Sequence, residues 1–238
     1  MTDTLRPESA TSPAETPSFA GDQKVGASVL APIESEVVAR NVDRIPSRIE
    51  TWHLTGTTVV WSIGMLISAW LAVGDPRWLF AMSAMIIGQY VTDLFDGAVG
   101  RHRDTGLVKW GFFMDHLLDL VFAGAIVIGY ALVAPPGLEL AFLALLLITC
   151  SLMGLSFLQF AATNEFKITA MGVGPTEVRL SCVGLNLVLF VTGTAWLSWG
   201  VPLACVVGFG LLVSLAMSTQ RDLWDRDMAA KAERLELG

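Results

Sequence analysis

Four aspartates stand where an aspartate is expensive. Asp93, Asp96, Asp115 and Asp119 lie at or within long apolar stretches. A charge at membrane depth costs about 2.5 kcal/mol or more. Asp93 and Asp96 are three residues apart and Asp115 and Asp119 four, so each pair shares one face of a helix. If the two segments are antiparallel neighbours, four carboxylates converge near one membrane surface. Charges that close repel unless a cation sits among them. Hard oxygen ligands favour Mg²⁺ or Mn²⁺, and such sites commonly hold substrate phosphates through the metal.

The residues around the acids fit that chemistry. Gly97 lies one turn from Asp93, Gly100 one turn from Asp96, and Gly111 one turn before Asp115. Missing side chains beside the ligands let a flat base or a diphosphate approach the backbone. Arg101 supplies a fixed positive charge for such a diphosphate. The bland alternative is a set of helix-terminal acids paired with Arg101, Arg103 and Lys109.

The elements that carry these residues follow from hydropathy. Of 238 residues, 53% are hydrophobic, and the mean hydropathy is +0.60, far more apolar than a soluble domain of this length. A bilayer core about 30 Å thick needs about 20 apolar residues in helix. Six stretches qualify, at 52–73, 78–97, 109–133, 138–161, 180–198 and 202–217. With six spans, all but Arg77 of the 15 Lys and Arg residues fall on one side, which predicts cytoplasmic termini and a cytoplasmic active site.

Residues 1–32 are rich in Pro, Ser, Thr, Ala and Glu, lack a signal-like apolar segment, and read as a disordered tail. In 33–50, Ile33, Val37, Val42, Ile45 and Ile49 recur at helical spacing beside Arg40, Arg44 and Arg48. That predicts an amphipathic helix on the cytoplasmic membrane face, interrupted by Pro46; a soluble helix with a charged face is the alternative. Residues 51–220 form the six-helix domain. Residues 221–238 form a solvated cytoplasmic tail. The fold class is therefore all-α integral membrane. Cys150, Cys182 and Cys205 show no metal or redox spacing and read as small apolar residues.

The run Asp93-x2-Asp96-Gly97-x2-Gly100-Arg101, followed by Gly111-x3-Asp115-x3-Asp119, closely resembles the signature of the CDP-alcohol phosphotransferases. That signature is D-x2-D-G-x2-A-R-x8-G-x3-D-x3-D. Here Gly100 replaces the Ala, and nine residues rather than eight separate Arg101 from Gly111. The six spans and the amphipathic segment extend the resemblance over residues 33–220.

The resemblance implies a membrane transferase that moves a phosphate-linked group from a CDP-activated donor to an alcohol and releases CMP. It implies Asp93, Asp96, Asp115 and Asp119 as ligands of two Mg²⁺ or Mn²⁺ ions. Asp119 is implied as general base, with a purely ligating role as the alternative. Gly97, Gly100, Gly111 and Arg101 are implied at the CDP group. A homodimer is implied, and one of the two substrates is a lipid. No nucleic acid partner is expected.

Weaker signals concern the acceptor. Asp115-His116 and Thr176-Glu177-Val178 resemble the choline and ethanolamine phosphotransferase branch. His116, Glu177, Lys167 and Arg179 are therefore candidate acceptor-site residues. For Glu177 the competing reading is a loop acid paired with Arg179 or Lys167. Thr55 stands where many family members have a threonine near the nucleotide. The loop 164–175 is expected to border the acceptor pocket. Two other functions compete with the main one: an intramembrane prenyltransferase acting on diphosphates, and a divalent-cation transporter. The first expects more paired Asp motifs and more spans. The second expects polar groups through the far leaflet.

Overall fold

The structure, a computed structural model, describes residues 24–25, 30–164, 166–167 and 174–236. Its helices are α1 (Ala31–Asn41), α2 (Thr51–Ala72), α3 (Trp78–His102), α4 (Val108–Val133), α5 (Glu139–Thr163), α6 (Pro175–Thr192) and α7 (Leu197–Glu236). Six of these, α2 to α7, are long and apolar enough to cross a membrane. The protein is an all-α integral membrane protein. Its described strands are two-residue pieces, β1 (Lys24–Val25) and β2 (Phe166–Lys167), paired in parallel. β1 thus falls within the stretch expected to be a disordered tail.

The span boundaries differ from the hydropathy reading where caps override it. The fifth span, expected at 180–198, is α6, which begins at Pro175 and ends at Thr192. Pro175 at the first helical position is pre-set for the helix. The Glu177 carboxylate accepts the Gly174 N–H at 2.8 Å and closes the first turn. Gly193 at φ 77 ends the helix. Arg179, expected in a loop, is therefore a helical residue.

The sixth span, expected at 202–217, begins at Leu197, carries Pro202 inside the helix, and runs unbroken to Glu236. The C-terminal tail is thus a continuation of the last span. α1 stops at Asn41, followed by a 3-10 turn at Val42–Arg44. Ile33, Val37 and Ile49 are exposed there, while Val42 and Ile45 are half-buried.

Packing sets the site's frame. α2 packs against both α3 and α4; α6 packs on α3, α5 on α4, and α7 on α5. The two acid-bearing helices meet through side chains, Gln89 of α3 donating to Asp119 of α4, and both pack closely on α2. Close approach of α2 depends on glycine: a Cβ on Gly129 would sit 3.3 Å from Ala69 Cβ, and one on Gly88 would meet the Trp61 ring at 2.9 Å.

Met65, Ala69, Met82, Ile86 and Phe122 fill the core between α2, α3 and α4. Leu140, Leu147, Val206 and Val207 point outward, as spans facing lipid require. In the turn from α2 to α3, Asp75 accepts hydrogen bonds from the Arg77 backbone and side chain. The Arg77 side chain holds the Asp75 carboxyl below the usual carboxylate range.

Candidate active site

Asp93 on α3 and Asp115 and Asp119 on α4 each offer an oxygen, and these oxygens lie within 4.8 Å of one another. All three side chains are half-buried. α6 supplies a cation to the group. Arg179 Nη1 donates to Asp93 Oδ2 at 2.8 Å, and its Nη2 donates to Asp119 Oδ1 at 2.9 Å. The planar fork of a guanidinium suits a bridge between two carboxylates. Arg179 itself is only 9% exposed. From below, Gln89 Nε2 donates to the same Asp119 oxygen at 3.0 Å. Three carboxylates against one guanidinium leave excess negative charge on hard oxygen donors, so the set fits a divalent cation.

Asp96 takes a different direction. It is 6% exposed, and both its oxygens accept hydroxyls from α2: Oδ1 from Thr51, Oδ2 from Thr55 at 2.5 Å. Thr51 also donates to the Asp96 backbone carbonyl at 2.9 Å. Three residues along a helix leave a rotation of about 60° between side chains. That offset lets Asp93 face α4 and α6 while Asp96 faces α2.

The glycines divide in the same way. A Cβ on Gly97 would lie 3.2 Å from Arg101 Nη1, so the Arg101 guanidinium folds back along α3 over Gly97. A Cβ on Gly100 would lie 3.3 Å from Thr51 Oγ1, a tight approach that gives a steric reason for Gly where the signature has Ala. Gly111 faces open space. The longer connection between Arg101 and Gly111 is absorbed locally, with Asp104 (φ 48) and Gly106 (φ 68) left-handed.

The candidate acceptor residues separate. His116 Nδ1 lies 2.7 Å from the Phe112 carbonyl, so Nδ1 carries the proton and donates. Its ring stacks on Phe112 and meets Phe157 edge-on, while Phe112 also packs on Phe160. His116 is thus part of an aromatic cluster between α4 and α5, 3.7 Å from Asp115. Glu177 caps α6. Lys167 belongs to β2; its side chain, and most of the loop 164–175, lie outside the described residues.

Sequence alone does not assign Gln89 or Glu34 a role, and it offers Arg103 only as a partner for the acids. Gln89 was visible as a polar residue one turn before Asp93. Glu34 of α1 accepts from Tyr90 Oη at 2.9 Å and from Thr176 Oγ1 at 2.7 Å, tying α1 to α3 and α6 beside Arg179. Arg103 donates to the carbonyls of Ile45 and Pro46, each at 3.1 Å. It also donates to Ile49 at 2.5 Å. Neither Glu34 nor Arg103 carries a local signal, because both partner sets are more than fifty residues away in sequence.

Spanning helices that gather three carboxylates and an arginine at one site define a membrane protein with an acidic cluster able to hold a metal ion. Residues 53–211 match the model of the CDP-alcohol phosphatidyltransferase family. The chain belongs to that family and is a phosphotransferase enzyme, of the kind that moves a phosphate-linked group from a CDP-alcohol. Comparison with curated proteins and with solved structures gives no match.

Proposed function

We propose that the protein catalyses attack of an alcohol oxygen on the β-phosphorus of a CDP-linked donor. The new O–P bond replaces the bond to the bridging oxygen, which leaves with CMP. The observation that carries this reading is the convergence of Asp93, Asp115 and Asp119 within the family's motif. These three aspartates would hold Mg²⁺ or Mn²⁺, as the two ions that the family resemblance implies. Asp96 is the fourth member of the tetrad, ordered on α3 by Thr51 and Thr55. Bound metal supplies the charge that offsets the diphosphate and the departing CMP.

Asp119 takes the acceptor's proton. Gln89 holds the Asp119 carboxylate in place for that step. Arg101, lying over Gly97, contacts the diphosphate, and the open face at Gly111 receives the cytidine nucleotide, while Gly100 lets Thr51 approach Asp96. The basic groups proposed for the acceptor are Lys167 and Arg179, and Arg179 is engaged by acids. That favours an unphosphorylated acceptor such as diacylglycerol with a CDP-amino alcohol donor, rather than CDP-diacylglycerol with a phosphorylated alcohol. Basic residues on one side argue for termini and site facing the cytoplasm. The homodimer follows from the family resemblance, and mass measurement in nanodiscs tests it.

The decisive assay is CMP release in nanodiscs with Mg²⁺ or Mn²⁺. The panel pairs CDP-choline and CDP-ethanolamine with diacylglycerol, and CDP-diacylglycerol with polar alcohols. Metal-dependent release that Asp119→Asn abolishes is the expected result. Failure to bind any CDP compound would overturn the reading.

A further inference from the structure

Arg179 is the feature of the site that the family motif does not contain. It reaches the acids from α6, a helix that packs on α3. Its fork spans Asp93 on α3 and Asp119 on α4, at 2.8 and 2.9 Å. It is almost fully buried, and its own helix is capped locally and tied to α1. Glu177 closes the first turn of α6, and Thr176 donates to Glu34. The guanidinium is therefore held against the carboxylates by more than its own side chain.

We infer that Arg179 is a tethered counter-cation that competes with the divalent metal for Asp93 and Asp119, and so sets the metal affinity of the site. This rests on the proposed metal-dependent transfer. The argument is electrostatic. Carboxylates gathered at membrane depth repel, and a tethered positive charge relieves that repulsion before any metal arrives. The same charge opposes a dication. If the metal takes the oxygens that Arg179 holds, the guanidinium must leave them. If the metal takes their other oxygens, it sits beside a positive charge. Both arrangements lower affinity, so the sign does not depend on which is adopted.

The experiment is Mn²⁺ titration of the detergent-purified, nucleotide-free protein, followed by electron paramagnetic resonance. Arg179→Gln is expected to bind Mn²⁺ roughly tenfold tighter than wild type or more. Arg179→Lys falls between the two, because an ammonium keeps the charge and loses the two-carboxylate bridge. Equal or weaker binding by Arg179→Gln overturns the inference while leaving the metal site itself intact. Asp93→Asn is the control: if it binds Mn²⁺ as wild type does, the metal reading fails and this inference with it.

Thermal unfolding with and without Mn²⁺ gives a second readout. Arg179→Gln should be destabilised without metal and gain more than wild type from added Mn²⁺. If Arg179→Gln does not fold even in excess Mn²⁺, the Lys variant decides. Tighter binding than wild type supports the inference, and equal binding overturns it.

Discussion

Gln89 donates its side-chain amide to Asp119 Oδ1 at 3.0 Å from a position with 0% exposure. It stands one helical turn before Asp93, deeper in the span. Its own oxygen, Oε1, has no hydrogen-bond partner among the described residues. An orphaned buried acceptor costs free energy, about 1–3 kcal/mol. The arrangement makes sense if the amide's worth lies in fixing the carboxylate above it. Stability is given up at a site whose geometry matters.

Replacing Gln89 with Leu removes both the orphan and the bond. Hydrogen bonds to charged groups contribute about 1.5–3 kcal/mol, so kcat for CMP release should fall roughly tenfold or more. The melting temperature should stay near that of wild type, because the lost bond and the lost orphan offset. Gln89→Glu should be worse, since it sets another carboxylate against Asp119. Steady-state CMP release, with thermal unfolding run alongside, reads this. Wild-type kcat in Gln89→Leu would mean that the amide does nothing for Asp119.

Thr55 tests how Asp96 is held. Its hydroxyl donates to Asp96 Oδ2 across the α2–α3 boundary. Thr55→Val keeps the shape and leaves a buried carboxylate oxygen short of a donor. The expected loss is about 1–3 kcal/mol, read as a lower midpoint in thermal unfolding. Thr149 is the comparison. Its hydroxyl bonds the Leu145 carbonyl of its own helix at 2.8 Å. That carbonyl keeps a helical partner when the hydroxyl goes, so Thr149→Val should change stability by about 0.5 kcal/mol or less. Equal losses in the two variants would show that the Thr55–Asp96 bond carries no special weight.

The contrast between Asp93 and Asp96 shows where sequence reading runs out. The four-residue spacing of Asp115 and Asp119 was enough to put both on one face, but Asp93 and Asp96, three apart, turn to different neighbours. Hydropathy was enough to count six spans. What local pattern cannot give is the 60° offset resolved by a partner 41 or 45 residues away, as Thr55 and Thr51 are for Asp96. Arg179 was assigned to a loop for a related reason. A span search starts where apolar residues become dense, at Leu180, whereas the helix starts where Pro175 and Glu177 can cap it. The same search stopped the last span near Met217, because polarity marks the end of a membrane crossing and not the end of a helix. α7 has no cap or breaker there and continues.

Arg103 gives a prediction about the segment before the first span. Its guanidinium donates to the carbonyls of Ile45, Pro46 and Ile49 and lies 3.6 Å from Glu50. Those carbonyls belong to irregular backbone, between the 3-10 turn and α2, where no helix or sheet supplies donors. One side chain from the end of α3 therefore fixes the linker that carries α1. Arg44 precedes that clamp, Arg48 lies within it, and both are exposed, so trypsin can report on it. In wild type the held backbone resists the extended conformation that a protease needs. Arg103→Ala removes the donors without touching either cleavage site, and cutting after Arg44 and Arg48 should accelerate roughly tenfold or more, following the loss of a charged hydrogen-bond set. Glu34, whose bonds to Tyr90 and Thr176 hold α1 at its other end, provides the comparison. Glu34→Ala should loosen α1 and leave the Arg103 clamp in place, so its cleavage after Arg48 should stay close to wild type. Gel-resolved digestion of the three proteins in nanodiscs measures all of this. If Arg103→Ala and wild type are cut at the same rate, the linker is held by something other than Arg103.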